Sequence, residues 1–120
     1  MAGGTLRDME RIDLRDLVAF AEEGPVHREV AATDRLWSEL ICLEPNQRVG
    51  PIGDRDSDAL CTVVAGRVVL QVDKERQRLG QWEAAMVPAG SALSLANAGE
   101  EPAVVLLVVA PPPPERQVQG

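Results

Sequence analysis

Few side chains in this sequence could do chemistry, and the densest group lies in a polar stretch from Gly50 to Asp58. Asp54, Asp56 and Asp58 alternate along it, with Arg55 between the first two. Several carboxylate oxygens close together suit a hard cation such as calcium, but the pattern lacks the glycine and the distant glutamate of an EF-hand loop. Acid-rich loops in acidic chains are usually only solvated, and Arg55 is then a surface partner for the neighbouring carboxylates. Cys42 and Cys61 do not form a CxxC pair. A nucleophilic Cys61 would need a base or cation beside it, and the sole histidine, His27, lies far upstream. Both cysteines are therefore expected as small buried hydrophobes, His27 as a structural histidine, and Trp82 as a core or interface ring.

Strands must hold these residues. Residues 59–72 are β-branched and apolar on both sides of Gly66-Arg67, which predicts two paired strands joined by a tight turn. Further strands are expected at 26–31, 36–43, 84–87, 92–96 and 104–109, with the hairpin itself at 60–65 and 68–72. Residues 50–58 and 73–78 are expected as a loop and a charged turn. Leu14, Leu17, Val18 and Ala21 recur at helical spacing, so a short α-helix is predicted over 12–23, with Asp13 as N-cap and Gly24-Pro25 as its stop. Together these predict an all-β sandwich or closed barrel over 26–111, preceded by a segment 1–25 that carries the helix. Residues 1–4 are expected to fray, and 112–120 to form a proline-rich polar tail extending into solvent.

Composition bounds the function. At 120 residues the chain is one domain, and 45% hydrophobic against 26% charged residues suits a compact globular protein. With no Tyr, one Phe and two Trp, the core must be filled mostly by Val, Leu and Ala. A formal net charge of -7 repels phosphate backbones and anionic lipids, which argues against nucleic-acid or membrane-surface partners. The first residues lack the order of a signal peptide and no apolar run is long enough to span a bilayer, so a cytoplasmic location is expected.

The order of landmarks resembles the cupin superfamily. Pro88, Gly90 and Asn97 match the proline, glycine and asparagine of the second cupin motif, while Leu93 stands at its histidine. Residues 63–68 look like the hairpin that closes the first motif, and the resemblance runs from about Trp37 to Pro111. It implies a small cupin-like jelly-roll barrel in which histidines and a glutamate would hold a divalent metal. Counted back from Gly66, the glutamate position falls on Ala59 and the histidine positions on Gly53 and Arg55, or on Ile52 and Asp54 in the longer spacing. None is a histidine, so neither a metal nor any other cofactor is expected.

If Ala59 takes the inward position, Cys61 and Val63 face in with it, and Leu93, Leu95 and Asn97 share the facing wall. The implied cavity is small and apolar, with Arg55 at its mouth as an anchor for an anionic ligand. The favoured reading is a metal-free barrel that binds or senses a small organic molecule or serves an accessory role. The alternatives are a cupin enzyme (oxygenase, isomerase or epimerase) with an unorthodox site, and a solidly packed module that docks onto a protein partner. Leu60, Val64, Val69 and Leu106 cannot all point into one small barrel, so a homodimer is expected to cover them.

Overall fold

The computed structural model describes residues 9–114; the expectations for residues 1–4 and 115–120 lie outside them. Nine strands are present among the described residues: β1 (Val26–Ala32), β2 (Trp37–Leu43), β3 (Arg48–Gly53), β4 (Asp58–Ala65), β5 (Arg67–Val72), β6 (Glu75–Gly80), β7 (Ala84–Val87), β8 (Ala92–Ala96) and β9 (Ala103–Ala110). They form two antiparallel sheets, ordered β1-β2-β9-β4-β7 and β3-β8-β5-β6. This is the jelly roll that the cupin resemblance implied, and it meets the all-β sandwich or barrel expected from the strand and turn spacing. No helix among the described residues is long and apolar enough to cross a membrane.

The core lies between the sheets and follows the two-residue period of the strands. Trp37, Ile41 and Leu43 of β2, Cys61 and Val63 of β4, and Val105, Leu107 and Val109 of β9 meet Val68, Leu70, Leu93 and Leu95 of the opposite sheet. β9 runs Ala-Val-Val-Leu-Leu-Val-Val-Ala without a polar residue because it is the middle strand of its sheet, paired on both edges. Its outward Val104 joins Leu40 and Cys42 in a second cluster, against which Leu17, Val26, Val64 and Leu106 pack.

That second cluster explains where the predicted α-helix went. Residues 12–23 form only a 3-10 turn at Leu14–Leu17, although Asp13 does cap it, its side chain accepting from the Arg15 N–H at 3.0 Å. Leu17 docks on the outer face of the five-stranded sheet, and the Ala21 carbonyl accepts from Gln47 Nε2 at 2.7 Å. Bonding and packing to the sheet outweigh the helical propensity of so short a segment.

Two strands appear where a loop and a turn were expected. β3 pairs with β8 through Arg48↔Ala96, Val49↔Leu95, Ile52↔Leu93 and Gly53↔Ala92, and the Gly50-Pro51 pair is absorbed in a register shift between Val49 and Ile52. β6 pairs with β5 along its whole length at the edge of the smaller sheet, where charged residues such as Glu75, Arg76 and Arg78 keep the open edge solvated. The proline segment also differs from expectation. Pro112 is buried, and Ser57 Oγ lies 2.6 Å from the Pro111 carbonyl, so the first prolines lie against the barrel instead of leaving it.

The outer apolar face is partly covered by the chain itself. Val64 and Leu106 pack against the cluster that includes Leu17, and Val69 is half-buried. Leu60 and Met86, cross-strand neighbours on β4 and β7, remain 42% and 60% exposed.

Candidate functional site

A cavity of about 220 Å³ opens between the sheets at the end of the barrel where β2, β4 and β8 begin and β3, β7 and β9 finish. Its walls are mostly aliphatic: Val49 and Ile52 from β3, Ala59 from β4, Val87 from β7, Leu93 from β8, and Leu107 and Val109 from β9. Strand alternation puts most of these side chains inward, the register shift in β3 brings Ile52 to the same wall as Val49, and the small inward Ala59 leaves space that a larger residue would fill.

A few polar groups converge on it. Glu39 stands on β2 in the inward row Trp37, Glu39, Ile41, Leu43, and its side chain is only 5% exposed. His27 Nδ1 lies 3.1 Å from Glu39 Oε2, with 40% of the imidazole side chain exposed. Trp37 Nε1 donates to Glu29 Oε1 at 3.2 Å, which fixes the indole in the cavity wall. Asp54, Ser57, Ser91 and Pro113 complete the lining. Ser57 Oγ has two acceptors in reach, Asp54 Oδ2 at 3.0 Å and Pro111 O at 2.6 Å, and so links the proline segment to the β3–β4 turn.

The residues singled out from the sequence divide into three groups. Ala59 and Leu93 line the cavity. Cys61, Val63 and Leu95 face the same way but are buried deeper in the core and do not line it. Asn97 is at the opposite end, its Nδ2 donating to Leu43 O at 3.0 Å and Glu101 O at 2.8 Å while Oδ1 accepts from the Gly99 N–H at 3.0 Å. That side chain ties the end of β2 to the loop before β9 and is not part of the cavity lining.

Arg55 requires a correction. It is exposed in the turn between β3 and β4 and is not part of the cavity lining, because the turn breaks the strand alternation and sends Asp54 inward instead. The anion anchor read from the sequence is therefore missing. Of the alternating acids, Asp54 shapes the turn by accepting from the Asp56 N–H at 3.0 Å, while Asp58 ties the start of β4 to the β7–β8 loop by accepting from the Ala89 N–H at 2.9 Å.

His27, Glu39 and Trp37 were missed. The available signal was a single acid in the inward phase of an otherwise apolar row on β2, opposite a strand that carries the sole histidine. A divalent metal does not fit this donor set. Of the positions that would carry the family's ligands, Ile52, Gly53, Ala59 and Leu93 form apolar wall, Arg55 lies outside the lining and Asp54 alone brings an oxygen, and no group of three or more His, Cys, Asp or Glu that could hold a metal occurs among the described residues.

Cys61 is equally unsuited to nucleophilic chemistry, since burial pushes its thiol up to about 11 from an ordinary 9.0. The same shift predicts alkaline weakening. The neutral thiol's contribution is fully present below pH 9, and it is lost as pH rises through 11, because the unfolded chain gives up the proton first. Two units correspond to about 3 kcal/mol. Burial raises Cys42 in the same direction, so it adds to the trend. Urea unfolding from pH 8 to 11 is expected to show Cys61→Val losing about 2 kcal/mol less than the native chain over that window, since at pH 11 the buried thiol is only half ionised; parallel curves would refute the assignment.

A family profile described as "Cupin domain" matches residues 39–109. No curated protein matches the chain. The crystal structure of TT1209 from Thermus thermophilus is similar at 31% identity and a TM-score of 0.83, covering 88% of this chain and 100% of that one. A conserved protein with a double-stranded β-helix domain from Klebsiella pneumoniae subsp. pneumoniae is 19% identical with a TM-score of 0.81, over 87% and 91% of the two chains. KdgF from Halomonas sp. is 19% identical with a TM-score of 0.72, over 82% and 88%. The last two likenesses are of fold alone.

Proposed function

This chain belongs to the cupin family, and from that membership together with the lining of its cavity we propose that it is a metal-free barrel that binds or senses a small organic molecule. The observation that carries this reading is the exchange of chemistry at one place in the fold. Apolar side chains stand at most of the family's metal-ligand positions, Asp54 alone among them bringing an oxygen to the wall, and the space between them remains open as a cavity beside a buried carboxylate bonded to a partly exposed imidazole. An interaction module packed solid would leave no such space, so that alternative loses its premise.

A second reading rests on the same pair. An imidazole hydrogen-bonded to a buried carboxylate can take up and return a proton, which would suit a metal-independent isomerase or epimerase. Binding is favoured because the other acid of the lining, Asp54, is engaged by the Asp56 N–H and Ser57 Oγ within the β3–β4 turn, and no arginine or lysine lines the cavity to stabilise a developing oxyanion.

The proposal extends to assembly. Leu60 and Met86 form an uncovered apolar strip on the outer face of the larger sheet, which a second copy of the chain would bury. Native mass spectrometry of untagged protein from metal-supplemented medium tests both parts. The expected species contains two chains and well under one iron, manganese, zinc or nickel per chain. A stoichiometric metal that leaves only on denaturation would overturn the metal-free reading, and a folded monomer at micromolar concentration would overturn the dimer.

A further inference from the structure

The charges around the cavity specify more than its size. Its ionisable lining consists of Glu39, Asp54 and His27, and none of the lysines or arginines of the described residues contributes to it. An anion entering this space would lose its hydration, meet two carboxylates and find no guanidinium or ammonium in return, which is the unfavourable case for a buried charge. A cation finds the opposite arrangement. Glu39 is held on the rigid strand β2 and is almost wholly buried, so an ammonium beside it would gain a charge-assisted hydrogen bond in surroundings of low polarity. A carboxylate offers about four lone-pair directions on its two oxygens, and the His27 contact uses one oxygen.

Size and wall chemistry set the rest of the ligand. About 220 Å³ corresponds to the share of roughly seven liquid waters at ~30 Å³ each, and falls below the ~300–1,000 Å³ of pockets that take drug-sized molecules. Ile52, Leu93 and Leu107 would surround a branched aliphatic body, whereas a sugar would press several of its hydroxyls against this aliphatic wall and lose their hydration there. Resting on the small-molecule reading above, we propose that the cavity takes a small aliphatic amine, its ammonium at Glu39 and its hydrocarbon body against Ile52, Leu93 and Leu107.

The test uses three probes that share one branched hydrocarbon body and differ in the head: isoamylamine, isoamyl alcohol and isovalerate. Trp37 lines the cavity and Trp82 is exposed on the surface, so Trp82→Phe leaves a single indole whose emission reports occupancy. At pH 7.5 the amine is expected to give a saturable change with at least tenfold higher affinity than the alcohol, and isovalerate to bind least. Glu39→Gln is expected to remove that tenfold preference while leaving the alcohol's affinity in place. The comparison of probes on the intact site decides the matter even if that variant does not fold. Isovalerate or the alcohol binding as tightly as the amine overturns the amine assignment and leaves small-molecule binding standing. No saturable response to any of the three overturns both.

Discussion

Replacing Asn97 by leucine is expected to lower the stability of the barrel by about 4 kcal/mol in urea unfolding, with no change in what the cavity binds at conditions where the variant is folded. The side chains are of similar volume, so the substitution removes hydrogen bonds more than it creates space. Asn97 is 1% exposed, and it makes three bonds: to Leu43 O at the end of β2, to Glu101 O in the loop before β9, and from the N–H of Gly99 in the same loop. Each buried polar group left without a partner costs about 1–3 kcal/mol. The Leu43 carbonyl is the fully buried one and bears the larger share, whereas the Glu101 and Gly99 groups lie nearer solvent and recover part of their loss from water. A loss under 1 kcal/mol would mean that the 97–101 loop re-forms without the asparagine, and the structural role given to it would fall.

The asparagine shows how far a sequence motif reaches. Its place in the second cupin motif was legible, and so was its inward phase with Leu93 and Leu95; that its amide is consumed by main-chain groups from two other segments was not. The strands whose side chains alternate or are wholly apolar, such as β4, β5 and β9, could be read because burial itself selects that pattern. β3 and β6 could not. One carries glycine and proline inside a register shift and the other is charged because it is an edge, and both features imitate loops. The site was half legible for a related reason. Ala59 and Leu93 follow from alternation along β4 and β8, but Glu39 and His27 lie on β2 and β1, outside the positions that the family motifs mark. Pro113 reaches the cavity through the Ser57–Pro111 contact, between residues far apart in sequence, which no local pattern announces.

Gly66→Ala is expected to cost about 4 kcal/mol or more, the largest loss from a single added methyl in the hairpin around which the strands assemble. Two effects combine there. Gly66 has φ +76°, a left-handed conformation that costs an L-residue roughly 1–2 kcal/mol. A Cβ at this position would also stand 2.5 Å from Pro102 O and 2.8 Å from Ala103 Cα, main-chain atoms that cannot rotate away. Ala103 opens the central strand β9 and pairs with Leu43, and Val104 beside it pairs with Ala65, so relief of the clash must displace the strand that holds the larger sheet together. Gly90→Ala separates the two effects. Gly90 has φ +91° with nothing within 4 Å of the added Cβ, so it carries the backbone penalty alone and is expected to lose only about 1–2 kcal/mol. If urea unfolding gives the two variants the same loss, the close approach of the β4–β5 turn to the start of β9 does not constrain residue 66, and its glycine is there for dihedral freedom alone.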